Sequence, residues 1–139
     1  MPEYLFVYGT LRQELVEKTS AELVALMQSL RFISTGTIRG QLYDLGDYPG
    51  AIVGDEFATS IVGEIYEMPE PQAAFALLDR YESFIPGELE ASLFARIKTP
   101  VTLPAGQPME CWLYVYNDWV LNGRLIADGD YVAYLKTRS

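Results

Sequence analysis

Tyr4-Leu5-Phe6-Val7-Tyr8-Gly9-Thr10-Leu11-Arg12 is the stretch from which the fold is read. Its opening is aromatic and aliphatic, which fits a half-buried pleated strand. Gly9, Thr10 and Arg12 then break the run with a permissive backbone, a hydroxyl and a cation. A strand therefore spans roughly Glu3 to Tyr8 and closes in a tight turn. Successive N–H groups in such a turn can form an anion-binding concavity with the backbone close to a ligand. The plainer reading is that Gly9-Thr10 only redirects the chain.

Working outward, Glu14 to Leu30 has helical spacing, with Leu23, Leu26, Met27 and Leu30 on one face. Thr19 or Ser20 is placed to cap it, and Gln13 to Lys18 reads as helix or loop. Phe32 to Tyr43 reads as strand interrupted by Gly36 and Gly40, glycines that mark bulges or close backbone approach. Asp44-Leu45-Gly46-Asp47-Tyr48-Pro49-Gly50 is dense in turn residues. Ala51 to Val53 and Ser60 to Met68 follow as strands. Pro69-Glu70-Pro71 opens a second helix that runs to about Ser83. A loop covers Phe84 to Leu89, then Ser92 to Val101 is strand-like and Pro104 to Pro108 a turn. Met109 to Asn117 is the most aromatic strand, with Trp112, Tyr114 and Tyr116 on one face. Tyr131 to Leu135 reads as a last strand or a short helix. Glycine-kinked strands with two clear helices predict an α+β fold, not a doubly wound one, around a strongly curved or closed sheet.

The chain has 139 residues, which on length alone is one domain over 1–139 with room for a real core. Half its residues are hydrophobic, too many for disorder despite a net charge of -9. The acidic balance argues against nucleic acid and against an anionic membrane surface. No run has the apolar length of a spanning helix, and Met1-Pro2-Glu3 lacks the start of a signal peptide, so a cytoplasmic address is the default expectation. The charge favours solubility and leaves the oligomeric state open. Ten tyrosines suit either the rim of a polar pocket or ordinary strand positions.

There is no histidine, which removes Ser-His-Asp catalysis and histidine-ligated zinc. Cys111 is the only cysteine, so no internal disulfide forms, and without histidine to assist a thiolate it reads as structural. An all-carboxylate magnesium or calcium site remains open in principle. Asp128-Gly129-Asp130, however, lacks the further ligands of a calcium loop and reads as a turn. No metal and no cofactor is expected.

Leu78-Asp79-Arg80-Tyr81-Glu82 places a carboxylate at the end of the second helix. At 100° per residue, Glu82 lies about 40° from Leu78 and about 20° from Phe75, within the apolar stripe. Burial and the helix C-terminus both raise a carboxylate pKa, the tuning that a proton shuttle near neutral pH requires. The competing reading is a frayed, exposed helix end. Asp79 and Arg80 read as solvated, off the stripe.

Five blocks in order now carry a resemblance: Tyr8-Gly9-Thr10-Leu11-Arg12; Gly40-Gln41-Leu42-Tyr43-Asp44-Leu45-Gly46 with Tyr48-Pro49-Gly50; Val62-Gly63-Glu64-Ile65-Tyr66; Leu77-Leu78-Asp79-Arg80-Tyr81-Glu82; and Trp112-Leu113-Tyr114-Val115-Tyr116. Together they resemble the gamma-glutamylcyclotransferase-like (AIG2-like) family across nearly the whole chain. The resemblance implies a small barrel-like mixed sheet with two main flanking helices and a central cavity. It implies cyclisation of a gamma-glutamyl group to 5-oxoproline with release of an amine or amino acid. It matches Glu82 to the catalytic glutamate, Tyr8, Gly9, Thr10 and Leu11 to a substrate-gripping turn that uses main-chain amides, and Tyr114 to an aromatic position near the pocket. The partner implied is a small gamma-glutamyl substrate. The sequence departs from the pattern at Gln13 to Glu17, at Ser83 where glycine is common, and at Phe94 where tyrosine is common. These departures leave the base untouched and fall on the leaving-group side.

The implied reaction suits what the chain lacks. A gamma-glutamyl amide carries its own nucleophile, so no protein nucleophile, metal or nucleotide is required. Arg12 reads either as local support for an anionic group or as a surface arginine. From another class, the same fold serves as a non-catalytic small-molecule binding or interaction module. A third reading pairs Glu64 with Glu82 for carboxylate-assisted hydrolysis, which needs the two about 5–10 Å apart.

Overall fold

The computed structural model describes residues 2–46, 48–88, 92–117 and 123–138. The turn expected at Asp47 and the loop end expected at Leu89 lie outside the described residues. Among the described residues, seven strands form the sheet, β1 (Glu3–Val7), β2 (Arg31–Asp44), β3 (Pro49–Val53), β4 (Ser60–Met68), β5 (Phe94–Thr102), β6 (Pro108–Tyr116) and β7 (Arg124–Ile126), and three α-helices join them, α1 (Ala21–Ser29), α2 (Pro71–Tyr81) and α3 (Tyr131–Arg138). The fold is α+β.

β2, β4, β1, β6 and β5 lie side by side, and Thr37 of β2 meets Thr102 of β5 to close the ring into a barrel. β3 and β7 add to the far half of β2. β1 runs parallel to β6, with Leu5 opposite Trp112, and antiparallel to β4, with Leu5 opposite Tyr66, so the sheet is mixed. Gly63 is what lets β4 cross β1 this closely. A Cβ there would lie 2.4 Å from the Val7 carbonyl oxygen and 2.6 Å from the Phe6 ring.

Strand alternation sorts β1 between two cores. Phe6 and Tyr8 fill the barrel with Leu42, Ile61, Ile65, Val101, Cys111 and Leu113. Leu5 and Val7 face the helices, packing with Leu23, Met27, Phe75, Leu78, Phe94 and Tyr114. β6 divides in the same way: Trp112, Tyr114 and Tyr116 share the helix-side face that their spacing predicts. Cys111 is fully buried in the barrel, and burial pushes its thiol up to about 12, which leaves it inert.

The first helix starts at the cap expected at Thr19 or Ser20, and the segment before it, read as helix or loop, is not part of it. Val16–Lys18 forms a short 3-10 turn, Thr19 and Ser20 adopt extended backbone, and α1 starts at Ala21. The Ser20 hydroxyl caps that start by accepting the Leu23 N–H at 3.2 Å. Of the two readings of the C-terminal stretch, strand or short helix, the structure has the helix: Asp130 Oδ1 accepts the Ala133 N–H at 3.1 Å and opens α3. β7 was not expected. Among the described residues, no helix is long and apolar enough to cross a membrane.

Candidate active site

The turn after β1 takes its shape from what surrounds it. The Arg12 N–H bonds back to the Gly9 carbonyl at 3.1 Å. Gly9 is required by packing: a Cβ there would sit 2.6 Å from Pro49 Cγ at the start of β3. Among the described residues, the N–H groups of Gly9, Thr10 and Leu11 find no acceptor in the protein.

α2 brings the second wall. Its apolar face buries Ala74, Phe75 and Leu78, and the helix stops one residue before Glu82, sooner than the spacing predicts. The stop is a Schellman motif. The Phe84 N–H bonds the Asp79 carbonyl at 2.8 Å and the Ser83 N–H bonds the Arg80 carbonyl at 3.3 Å. Ser83 occupies the left-handed position of that motif at φ 56°, where glycine is ordinarily favoured. Glu82 is thus the helix cap, held by its own N–H to Leu78 O at 2.8 Å, and not a frayed end.

Between these walls lies a cavity of about 260 Å³. Tyr8, Gly9, Thr10, Leu11, Glu82 and Tyr114 all line it, so the structure brings together every site residue expected from the sequence. Tyr48, Pro49, Leu93 and Phe94 supply an apolar side. A direct link spans the two walls, with the Thr10 and Tyr81 hydroxyls 2.6 Å apart.

Glu82 keeps part of its surface accessible at this cavity, but the wall atoms surround its carboxyl. Burial alone pushes its pKa up to about 8. Among the described residues, no cation pairs with it and no donor bonds its carboxyl. The phenols of Tyr8 and Tyr114 resist ionisation, first through burial, with the Glu82 charge adding to the effect in both.

Asp79 corrects the sequence reading. It is buried, not solvated: it accepts the Tyr114 hydroxyl at 2.5 Å and pairs with Arg96 at 3.2 Å. The signal was present, since Asp79 follows Phe75 by four residues and so shares its face. Arg12 is buried too, bonded to Glu64 at 3.2 Å and Asp130 at 2.9 Å, and is absent from the cavity lining. Glu64 also accepts the Gln13 N–H at 2.9 Å and the Tyr66 hydroxyl at 3.0 Å. Its carboxylate is occupied in this knot behind the turn and does not line the cavity with Glu82, which removes the paired-carboxylate reading.

Residues 5–133 match the model of a family described as gamma-glutamyl cyclotransferase, AIG2-like. The chain belongs to that family. It is 32% identical over 128 residues to the gamma-glutamylcyclotransferase family protein YtfP of Escherichia coli K12, covering 92% of this chain and 95% of that protein. Two solved structures share the fold. The Bacillus subtilis protein YkqA superposes with a TM-score of 0.69 at 24% identity; the match spans all of this chain and 44% of that longer one. An AIG2-like protein from Mus musculus superposes with a TM-score of 0.68 at 21% identity, over 94% of this chain and 88% of the mouse protein.

Proposed function

We propose that this member of the family cyclises a gamma-glutamyl group to 5-oxoproline and releases an amine or amino acid. One observation carries the reading. Glu82, a largely enclosed carboxyl with no cation or donor on it among the described residues, shares a cavity with Gly9, Thr10 and Leu11, whose backbone N–H groups likewise find no acceptor among them.

The chemistry follows from that pairing. The substrate's α-nitrogen attacks its own δ-carbonyl carbon, so a five-membered ring closes around a tetrahedral oxyanion. Collapse restores the carbonyl and breaks the bond to the leaving nitrogen. Protons shed by the attacking nitrogen pass through Glu82 to the departing one. A carboxyl with its pKa near 8 exchanges protons readily with amines close to neutrality. The N–H groups of Gly9, Thr10 and Leu11 hold the glutamyl carboxylate or stabilise the oxyanion. Holding the chain bent supplies much of the acceleration, because the reaction is intramolecular.

The test is a panel of gamma-glutamyl amines, dipeptides and tripeptides assayed for 5-oxoproline. Formation of 5-oxoproline together with the free amine from at least one member is the expected result. Saturable binding without product across the panel would overturn the reading in favour of a binding module.

A further inference from the structure

The cavity is lined by a tyrosine whose hydroxyl hydrogen is already committed. Tyr114 lines the cavity together with Glu82, yet its O–H donates to Asp79 Oδ1 at 2.5 Å, behind the wall. Asp79 is locked in turn. Arg96 Nη1 approaches its two oxygens at 3.3 and 3.2 Å, and the Arg96 guanidinium lies over the Phe75 ring at 4.0 Å, with Phe84 and Trp112 each at 5.5 Å. A phenol has one hydrogen to give and two lone pairs to offer. With the hydrogen spent on Asp79, only lone pairs remain for a ligand. Tyr8 behaves alike, since its hydroxyl hydrogen is spent on the Tyr114 carbonyl at 2.6 Å.

We infer that Asp79, held by Arg96, is a positioning residue that makes the Tyr114 oxygen an acceptor-only contact for the substrate's α-ammonium group. This rests on the cyclisation proposed above. The cavity then has two chemically distinct sides. Tyr114 and, once ionised, Glu82 accept, and the amides of Gly9 to Leu11 donate. An ammonium has three N–H donors and no lone pair, so it fits only the first side. A carboxylate or oxyanion fits only the second. The gamma-glutamyl group is thereby oriented with its nucleophilic nitrogen at the base.

Replacing Asp79 by Asn reverses this polarity. Arg96 draws the amide oxygen, so the amide N–H faces Tyr114 and donates to it. The phenol hydrogen is then free to point into the cavity, where it opposes an ammonium. Tyr114→Phe removes the contact and keeps the ring.

The experiment compares two probes: gamma-glutamyl-p-nitroanilide as substrate, and glutaryl-p-nitroanilide, which lacks only the α-amine, as competitive inhibitor. Both Asp79→Asn and Tyr114→Phe are expected to lower kcat/KM about tenfold or more, the range for a hydrogen bond to a charged group. The double variant is expected to lose no more than the worse single one, because both changes act on one contact. The inhibition constant of the glutaryl probe is expected to hold within about twofold in every variant, since it has no ammonium to lose. Equal weakening of both probes, additive losses in the double variant, or parent-level kcat/KM in Tyr114→Phe would overturn the inference while leaving cyclisation standing. If Asp79→Asn does not fold, Tyr114→Phe with the two probes decides alone. Should the parent make no 5-oxoproline from any gamma-glutamyl compound, cyclisation itself fails, and this inference with it.

Discussion

Asp79 and Glu82 stand three residues apart at the end of one helix, and their surroundings treat them in opposite ways. Asp79 meets a cation at 3.2 Å and a phenol at 2.5 Å, so its charge is answered on two sides. Glu82 meets neither among the described residues, and burial raises its pKa to about 8. The difference separates a carboxylate whose charge is held by partners from one whose charge is not. Apolar enclosure destabilises a carboxylate's charge, and only specific partners restore it. Both acids are enclosed, so the partners alone distinguish them.

The largest expected effect breaks the free acid. Glu82→Gln keeps the shape and removes the titrating group, and formation of 5-oxoproline is expected to fall ~10²-fold or more. In the parent, kcat/KM is expected to climb with pH to a bend near 8, because the base must be deprotonated and its pKa is about 8. A flat profile between pH 6 and 9, or parent-level turnover in Glu82→Gln, would return the role to another group. Next in size comes the answered acid. Asp79→Asn strips the ion-pair partner from Arg96, and urea unfolding is expected to show a loss of about 2 kcal/mol. That is below the range for a fully buried pair, since the two side chains keep 20% and 12% of their surface exposed. A stability change near zero would mean that the pair holds nothing together.

Glu82 was legible in the sequence because its angle to Leu78 and Phe75 is set by the helix alone. Asp79 was not read correctly, although it lies four residues from Phe75. Its partners come from β5 and β6, 17 and 35 residues along the chain, and helical spacing carries no trace of them. Arg12 was ambiguous for the same reason, since Glu64 and Asp130 lie 52 and 118 residues away. Strands and their faces were readable wherever alternation was strict, as in Trp112, Tyr114 and Tyr116. The glycine kinks announced a strongly curved or closed sheet, but not that Thr37 and Thr102 close it, because a pairing between distant edges leaves no local pattern. The start of α1 at Ala21 was readable, because a serine hydroxyl ahead of the apolar stripe marks a cap by local chemistry alone, and Ser20 supplies it.

A smaller effect sharpens the contrast through stability instead of activity. Glu82 has an ordinary pKa of 4.5 when unfolded and about 8 when folded. Below pH 4.5 it is neutral in both states and costs nothing. As pH rises from 4.5 towards 8, the unfolded chain ionises while the folded one resists, and stability is lost. Glu82→Gln escapes that loss. Its advantage over the parent is expected to be absent near pH 4 and to reach about 1 kcal/mol at pH 8, well below full linkage because the carboxyl keeps some contact with water. Asp79→Asn is destabilising at pH 7, so the two amide substitutions at one helix end act with opposite signs there. An advantage for Glu82→Gln that is equal at pH 4 and pH 8 would show that the acid is not held neutral by the fold.

The smallest effect concerns the residue that turns the chain out of the helix just after Glu82. Ser83 sits at φ 56°, a conformation in which its Cβ crowds the backbone and glycine would not. Ser83→Gly relieves that strain in the folded state and also loosens the unfolded chain, and the two contributions oppose each other. The net gain is expected to be about 0.5 kcal/mol in urea unfolding. A loss would mean that the serine hydroxyl, at the cavity rim, holds the end of α2 through a contact worth more than the strain. Then the cap that aims Glu82 would depend on this side chain as well as on the Schellman bonds from Ser83 and Phe84 to the helix.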